Sequence, residues 1–392
     1  MSAGIIQHAD LFVLDWMTDP EQAVAFARER GITEPRSVEV SAWCAELHEQ
    51  LRLIAEQRQM PLLLMGGHAA SLRMEAAKQR GSRDNDYLTT ATEQDVVGLM
   101  DALQERFAPH FAEPLFRHRR LTGGEDAEPL PLATFVVDVP ALLDPNETVI
   151  AVKLEFHLET DKTLFPSGEK VEGSLYGLAE SITAQLPLLP YQIALKLLTL
   201  HEAPAGLMPK YEHSFPRQMW DVDELTAQMQ NRTEFETLAD YAERRYIKEE
   251  RFRARQPDPT GPWPGIESRL SGWEPLTDGQ WRAIERFQSS QLTRASRRVR
   301  EHWAARVARV QLLCRLLKTR DYDSWMRVLE LELRIPERVP PSQLKVMRAQ
   351  VASVTGSIPS ALGQYPRRGY WEHLATTEDV PLALSAFADA IP

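Results

Sequence analysis

The sequence predicts an α+β protein, with a mixed-sheet amino-terminal domain followed by a helical carboxy-terminal domain. Three observations carry this expectation. Short runs with strand character, at 61–65, 84–88, 133–138 and 149–158, alternate with stretches of helical periodicity. From about residue 226 onward strand signals almost vanish. The chain of 392 residues, 43% hydrophobic and 26% charged, is long enough for two domains of ordinary globular composition. The expected boundaries are 1–225 and 226–392.

Residues from about 20 to 58 read as helices. Ser37 is the expected N-cap, and Val40, Trp43, Cys44, Leu47, Leu51 and Ile54 recur at helical spacing. Pro61 to Met65 is a short buried strand that ends at Gly66-Gly67, and 68–80 is a helix. Asp84 to Leu88 is a second strand and 93–107 a second helix. Ala133 to Asp138 and Val149 to Leu158 are further strands. In the last of these Val152, Leu154, Phe156 and Leu158 alternate with Lys153, Glu155, His157 and Glu159, so one face is polar. Pro190 to Leu200 opens a helical half in which Lys196 is the lone charge of an apolar stretch. A Pro/Gly/Trp-rich linker is expected at 255–275.

No apolar run approaches the roughly 20 residues that span a bilayer. Met1 to Asp10 lacks the basic region and apolar core of a signal peptide. The two cysteines, Cys44 and Cys314, argue against a disulfide framework or a thiolate zinc site. The expectation is a cytoplasmic protein that does not engage membranes. A net charge of −11 argues against indiscriminate nucleic-acid binding. The stretch 282–320 is the exception: eleven cations stand there against only Glu285 and Glu301. A basic helix face of this kind suits a phosphate backbone, with Arg297, Arg298, Arg300 and Arg306 as RNA contacts. The competing reading is a basic face that docks on the acidic amino-terminal domain.

The chemistry centres on Asp84 and Asp86. Alternate residues of a strand point the same way, roughly 6.5–7 Å apart, so the two carboxylates can share one or two Mg²⁺ ions. Gly66-Gly67 lies between a strand and a helix, where backbone N–H groups approach a phosphate. Glu155 on the later polar face offers a third ligand or a general base, with Asp138 as the alternative. Each piece is weak alone, since Asp221-Val222-Asp223 repeats the Asp-x-Asp pattern.

Taken together, PLLLMGGHAASLRMEAAKQRGSRDNDYL over 61–88 resembles the DNA polymerase-β-like nucleotidyltransferases, and Ser82-Arg83 before the carboxylates fits as well. The segments PLLPYQIALKLLTL and RQMWDVDEL within 187–225 look like the AbiEii/type IV toxin branch. Lys196 matches that family's lysine and Asp221 its aspartate. The resemblance spans about 60–225. His68 stands where the family has Ser or Thr, and the loop before Asp84 is a few residues longer.

The resemblance implies a polymerase-β-like core and catalysis with Mg²⁺ or Mn²⁺ on Asp84, Asp86 and Glu155. It implies NTP binding by Gly66, Gly67, His68, Ser82, Arg83 and Lys196, with Asp221 positioning Lys196. It further implies nucleotide transfer to RNA, the tRNA 3′ end in particular, by a toxin restrained by a cognate antitoxin. Transfer to a protein or small molecule, or an inert binding protein of the same fold, are the alternatives. Arg73, Lys78, Arg80 and Arg83 are further candidates for phosphate contact, against a reading as solvated helix charges.

Overall fold

The computed structural model describes residues 20–108, 117–120, 131–141, 143, 149–174, 181–201, 209–252, 254–273, 275–335, 341–355 and 366–390. The Met1–Asp10 segment lies outside them. By contact density the chain forms two compact units, residues 1–188 with 286–297, and 189–285 with 298–392.

The first unit opens with α1 (Pro20–Glu29) and α2 (Pro35–Gln57). Helix α2 starts one turn earlier than expected. Its N-cap is Glu34, followed by proline at the first helical position, and Ser37 sits buried inside the first turn. Proline at N1 has its φ set for the helix and no N–H to leave unpaired, so it overrides the serine. Strand β1 (Leu63–Met65) leads into α3 (Gly66–Arg73), which is shorter than the expected 68–80. Tertiary pairing ends it: Met74 turns extended, Gln79 donates to the Ser174 carbonyl, and Arg80 bridges to Leu292. Next come β2 (Asp84–Thr89) and α4 (Glu93–Phe107). Helix α4 is closed by a Thr92/Asp95 capping box, which satisfies two otherwise orphaned N–H groups.

Strands β3 (Arg117–Arg120), β4 (Leu132–Pro140) and β5 (Val149–Leu158) complete a five-stranded sheet in the order β1-β2-β5-β4-β3. Only the central β2–β5 pair is parallel. Strands β6 (Gly168–Gly173) and β7 (Ile182–Pro187) form a separate antiparallel pair. One apolar core joins the sheet to α2 and α4. Trp43, Leu47 and Leu51 of α2 meet Leu99 and Leu103 of α4 there, with Tyr87, Phe135 and Phe156 from the strands. Tyr87 and Phe156 stack at 5.0 Å across the parallel pair. Burial of an aromatic this size contributes on the order of 1.5–3 kcal/mol. This core fixes which face of β2 and β5 is inward, and thereby which face carries their polar residues.

In the second unit the elements are α5 (Leu189–Thr199), α6 (Phe215–Thr226), α7 (Arg232–Phe252), α8 (Trp263–Ser271), α9 (Asp278–Gln291), α10 (Arg300–Thr319), α11 (Tyr322–Arg334), α12 (Pro341–Thr355), α13 (Pro366–Thr376) and α14 (Val380–Ala390). The end of α9 belongs to the first unit. Helices α5 and α6, expected with the amino-terminal domain, thus group with the helices after them, as where Tyr191 meets Tyr241 edge to face at 4.8 Å. Within the expected 255–275 linker lies α8, with Pro262 at its N-cap and Pro264 in its first turn. Aromatic contacts join the helices: Trp220 to Trp303 at 6.0 Å, Phe235 to Trp325 at 5.7 Å, and Tyr370 to Phe387 at 4.7 Å. Among the described residues no helix is long and apolar enough to cross a membrane.

Candidate active site

Strand parity builds the site. Along β2, Asp84 and Asp86 are half-buried on one face while Asn85 and Tyr87 point into the core. The parallel register sets Asp84 beside Lys153 and Asp86 beside Glu155. The carboxylates of Asp84, Asp86 and Glu155 thereby come together, one oxygen of each lying within 4.8 Å of the others. Among the described residues no other group of three His, Cys, Asp or Glu side chains gathers in this way. Asp138 lies apart: β4 sets Thr134 opposite Glu155 but Asp138 opposite Ala151, four residues further along, or roughly 13 Å.

Two glycines let the backbone come up to these carboxylates. Gly66 has φ +72°, and a Cβ there would collide with the Asp86 carboxylate, reaching within 2.8 Å of its Cγ. That backbone region is costly for any other residue. A Cβ on Gly67 would press into the Arg80 guanidinium, 2.9 Å from its Cζ. Helix α3 therefore begins against Asp86, and its first N–H groups are the orphaned donors of a helix start.

The polar residues around the carboxylates hold the strand in place. The Ser82 hydroxyl donates to the Asp84 carbonyl at 2.9 Å, and its backbone N–H donates to Ser41 Oγ at 3.1 Å. Ser82 is buried and committed to these contacts, which corrects the expectation of a phosphate donor. His68 is corrected too. It is fully buried and bonds Asn85 Oδ1 through Nδ1 at 2.7 Å, while Asn85 Nδ2 donates to the Cys44 carbonyl at 2.8 Å. Because that carbonyl can only accept, Asn85 Oδ1 faces His68, and the His68 proton is on Nδ1. Burial, set against the Asn85 bond and the Asp84 charge, lowers the His68 pKa to about 4. His68 is a neutral anchor for β2.

Behind it, His48 donates from Nε2 to the Thr183 carbonyl at 3.1 Å, and its Nδ1 faces the Tyr87 hydroxyl at 3.3 Å. Burial and the neighbouring His68 lower its pKa to about 3. The Cys44 thiol is pushed up by burial and by Asp84 and Asp86.

Arg83 is exposed and pairs with Glu34 at 3.1 Å. Arg73 bonds the Pro187 carbonyl at 2.6 Å and pairs with Glu169 at 2.7 Å. Arg80 is buried and bonds the Gly81 carbonyl at 2.9 Å. Arg73 and Arg80 are thus structural braces. Lys153, passed over in the sequence, bonds Glu155 Oε2 at 2.5 Å. Burial works against its charge, but the bond to Glu155 and the fields of Asp84 and Asp86 win, so its pKa is raised. The alternation that placed Glu155 on the polar face had placed Lys153 there too.

In the second unit Lys196 and Asp221 do meet. Their ion pair is 2.7 Å long and buried, and Lys196 also donates to Gln218 Oε1 at 3.1 Å. Of the expected RNA contacts, Arg306 is buried, Arg297 and Arg300 are partly buried, and Arg298 is exposed. Arg306 is buried, pairs with Asp223, bonds Glu224 at 2.6 Å and lies 4.1 Å over the Trp220 ring. Arg309 bridges Asp223 at 2.8 Å and Glu332 at 2.6 Å. Arg300 pairs with Asp278 at 3.0 Å, and Arg297 donates to the Gln288 carbonyl at 3.0 Å. Arg298 is exposed. Arg306 as an RNA contact is therefore withdrawn, because its guanidinium cannot leave two buried carboxylates unpaired.

No protein-family model matches the chain, and no curated protein sequence matches it. Among solved structures, JHP933 from Helicobacter pylori aligns over 72% of this chain and 95% of its own, at 11% identity and a TM-score of 0.34. A nucleotidyltransferase candidate from H. pylori aligns over 63% and 93%, at 14% identity and a TM-score of 0.32. Likenesses this slight decide neither fold nor activity.

Proposed function

We propose that the protein transfers a nucleotidyl group from an NTP, using Mg²⁺ or Mn²⁺ held by Asp84, Asp86 and Glu155. One observation carries the reading: three strand-borne carboxylates converge to within 4.8 Å beside a positive-φ Gly66 that brings the start of α3 against Asp86. The donor set fits the ion, since hard divalent cations take carboxylate oxygens and share them with phosphates. When bound, such an ion neutralises phosphate charge and aligns the α-phosphate for in-line attack.

The chain's own residues do the rest. Asp84, Asp86 and Glu155 would hold the ion through their carboxylate oxygens. The first N–H groups of α3 offer donors to phosphate oxygens. Ser82, Asn85 and His68 position β2. In the reaction an acceptor hydroxyl oxygen bonds the α-phosphorus, the bond to the pyrophosphate oxygen breaks, and the hydroxyl proton passes to a base. Glu155 is proposed as that base as the alternative to its role as third metal ligand.

The finer assignment rests on the family resemblance alone: an RNA acceptor, the tRNA 3′ end in particular, and a toxin restrained by a cognate antitoxin. The roles of Lys196 and Asp221 in nucleotide binding rest there as well, and their charges serve each other within the second unit. The test is to incubate the protein with labelled NTPs, Mg²⁺ and total tRNA. Label should reach RNA with the wild type and fall to background with Asp84→Ala. Label on protein or a small molecule instead would move the acceptor. No label anywhere, with metal bound, would sink the transferase reading.

A further inference from the structure

We infer that Lys153 is a tethered cation that occupies part of the metal site, so that a divalent ion must compete with it for Glu155. The inference rests on the metal reading above and deepens it, by naming what regulates ion binding at those carboxylates.

Geometry carries it. Lys153 and Glu155 lie two residues apart on β5, on the same face. The parallel register brings Lys153 beside Asp84 as it brings Glu155 beside Asp86. All four side chains thus share one small patch of sheet, and Lys153 Nζ bonds Glu155 Oε2 at 2.5 Å. An ammonium at that oxygen and a metal ion bound to it exclude each other, by charge and by space. Lys153 keeps 40% of its side-chain surface exposed, so it has somewhere to go when displaced.

Charge accounting agrees. Three carboxylates carry three negative charges, and Lys153 offsets one of them, which weakens their pull on a divalent ion. Without Lys153 the site would favour a tighter first ion or a second one. In the wild type a second ion is then expected only with the additional negative charge of an NTP. Once displaced, the ammonium lies within reach of the same anionic ligand, as a lysine suits a phosphate. The bland alternative is a surface ion pair with no bearing on ions, and such pairs are worth little.

The experiment is a Mn²⁺ titration of the full chain followed by electron paramagnetic resonance, without nucleotide. Wild type, Lys153→Met, Lys153→Arg and Asp84→Ala are compared. The expected result is Mn²⁺ binding about tenfold tighter in Lys153→Met, ~1.4 kcal/mol by the affinity relation, or a second bound ion. Lys153→Arg keeps the cation and should bind as the wild type does. Should Lys153→Met lose its fold by circular dichroism, Lys153→Gln serves in its place. Equal or weaker binding in the neutral variants, with wild type binding and Asp84→Ala not, overturns the inference and leaves the metal site standing. If the wild type binds no Mn²⁺ at millimolar concentration, both readings fall together.

Discussion

At the residue scale the site turns on Gly66. Its positive φ and the Asp86 carboxylate in the place of a Cβ are two independent demands for glycine. Gly66→Ala meets both at once. The left-handed backbone costs about 1–2 kcal/mol, and the methyl group must push Asp86 off its position. The expected outcome is a modest drop in stability in urea together with a loss of Mn²⁺ binding and nucleotidyl transfer out of proportion to it. Binding retained at wild-type affinity would show that the carboxylate can move aside. The neighbouring His68 illustrates the opposite lesson. The resemblance implies a phosphate contact for it, yet its ring is fully buried and bonded to Asn85.

At the element scale, β2 is a strand with two jobs split by parity. Asp84 and Asp86 face the site, and Asn85 fastens the strand to α3 and α2 through His68 and the Cys44 carbonyl. Helices α6 and α10 are joined by a different device, the buried network of Asp223 and Glu224 with Arg306 and Arg309. Burial pushes the Asp223 pKa up against the pull of both arginines. Arg306→Met should therefore cost about 3–5 kcal/mol, because it strands buried carboxylates, with no selective effect on RNA labelling once the protein is folded. Urea unfolding measures the first part. A variant as stable as the wild type that has lost only RNA labelling would restore the nucleic-acid reading.

The shared face of Asp84 and Asp86 was legible because side-chain parity along a strand needs only local sequence, whereas Glu155 joins them through the distant pairing of β2 with β5. Likewise α4 and β5 followed directly from periodicity. The burial of Arg306 was not legible, because counting charges cannot reveal that its partners lie about eighty residues away. Strands β3, β6 and β7 were missed: Arg-His-Arg-Arg and Gly-Glu-Lys-Val-Glu-Gly show too little apolar pattern to be read, and the alternation of Ile-Thr-Ala-Gln-Leu-Pro is short. The early end of α3 was hidden for the same reason as Arg306: distant pairing, to Ser174 and Leu292, decided it.

At the scale of the whole molecule, the first unit keeps neutral histidines directly beneath its acidic site, and this ties its stability to pH. Both pKa values fall below the usual 6.5, to about 3 for His48 and about 4 for His68. The unfolded chain therefore binds more protons than the folded one as pH drops below roughly 6.5. The stabilisation from keeping these rings neutral is complete above that value. It is lost progressively as pH falls from about 6.5 toward 4 and then 3, by at most ~1.4 kcal/mol per pH unit for each histidine. Paired carboxylates lose their contribution only below their own, lower unfolded values, so the window between about pH 6.5 and 5 belongs chiefly to the histidines. Imidazole resonances followed by NMR should show neither ring titrating above pH 5. Over the same range, hydrogen exchange at the amides of β2 and β5 should accelerate as the pH is lowered, once corrected for intrinsic chemistry. His68→Gln, which cannot titrate, should flatten that dependence by its share. If an imidazole titrates near 6.5 in the folded protein, or wild type and variant show equal slopes, the histidines are not buried as the hydrogen bonds of His68 and His48 require.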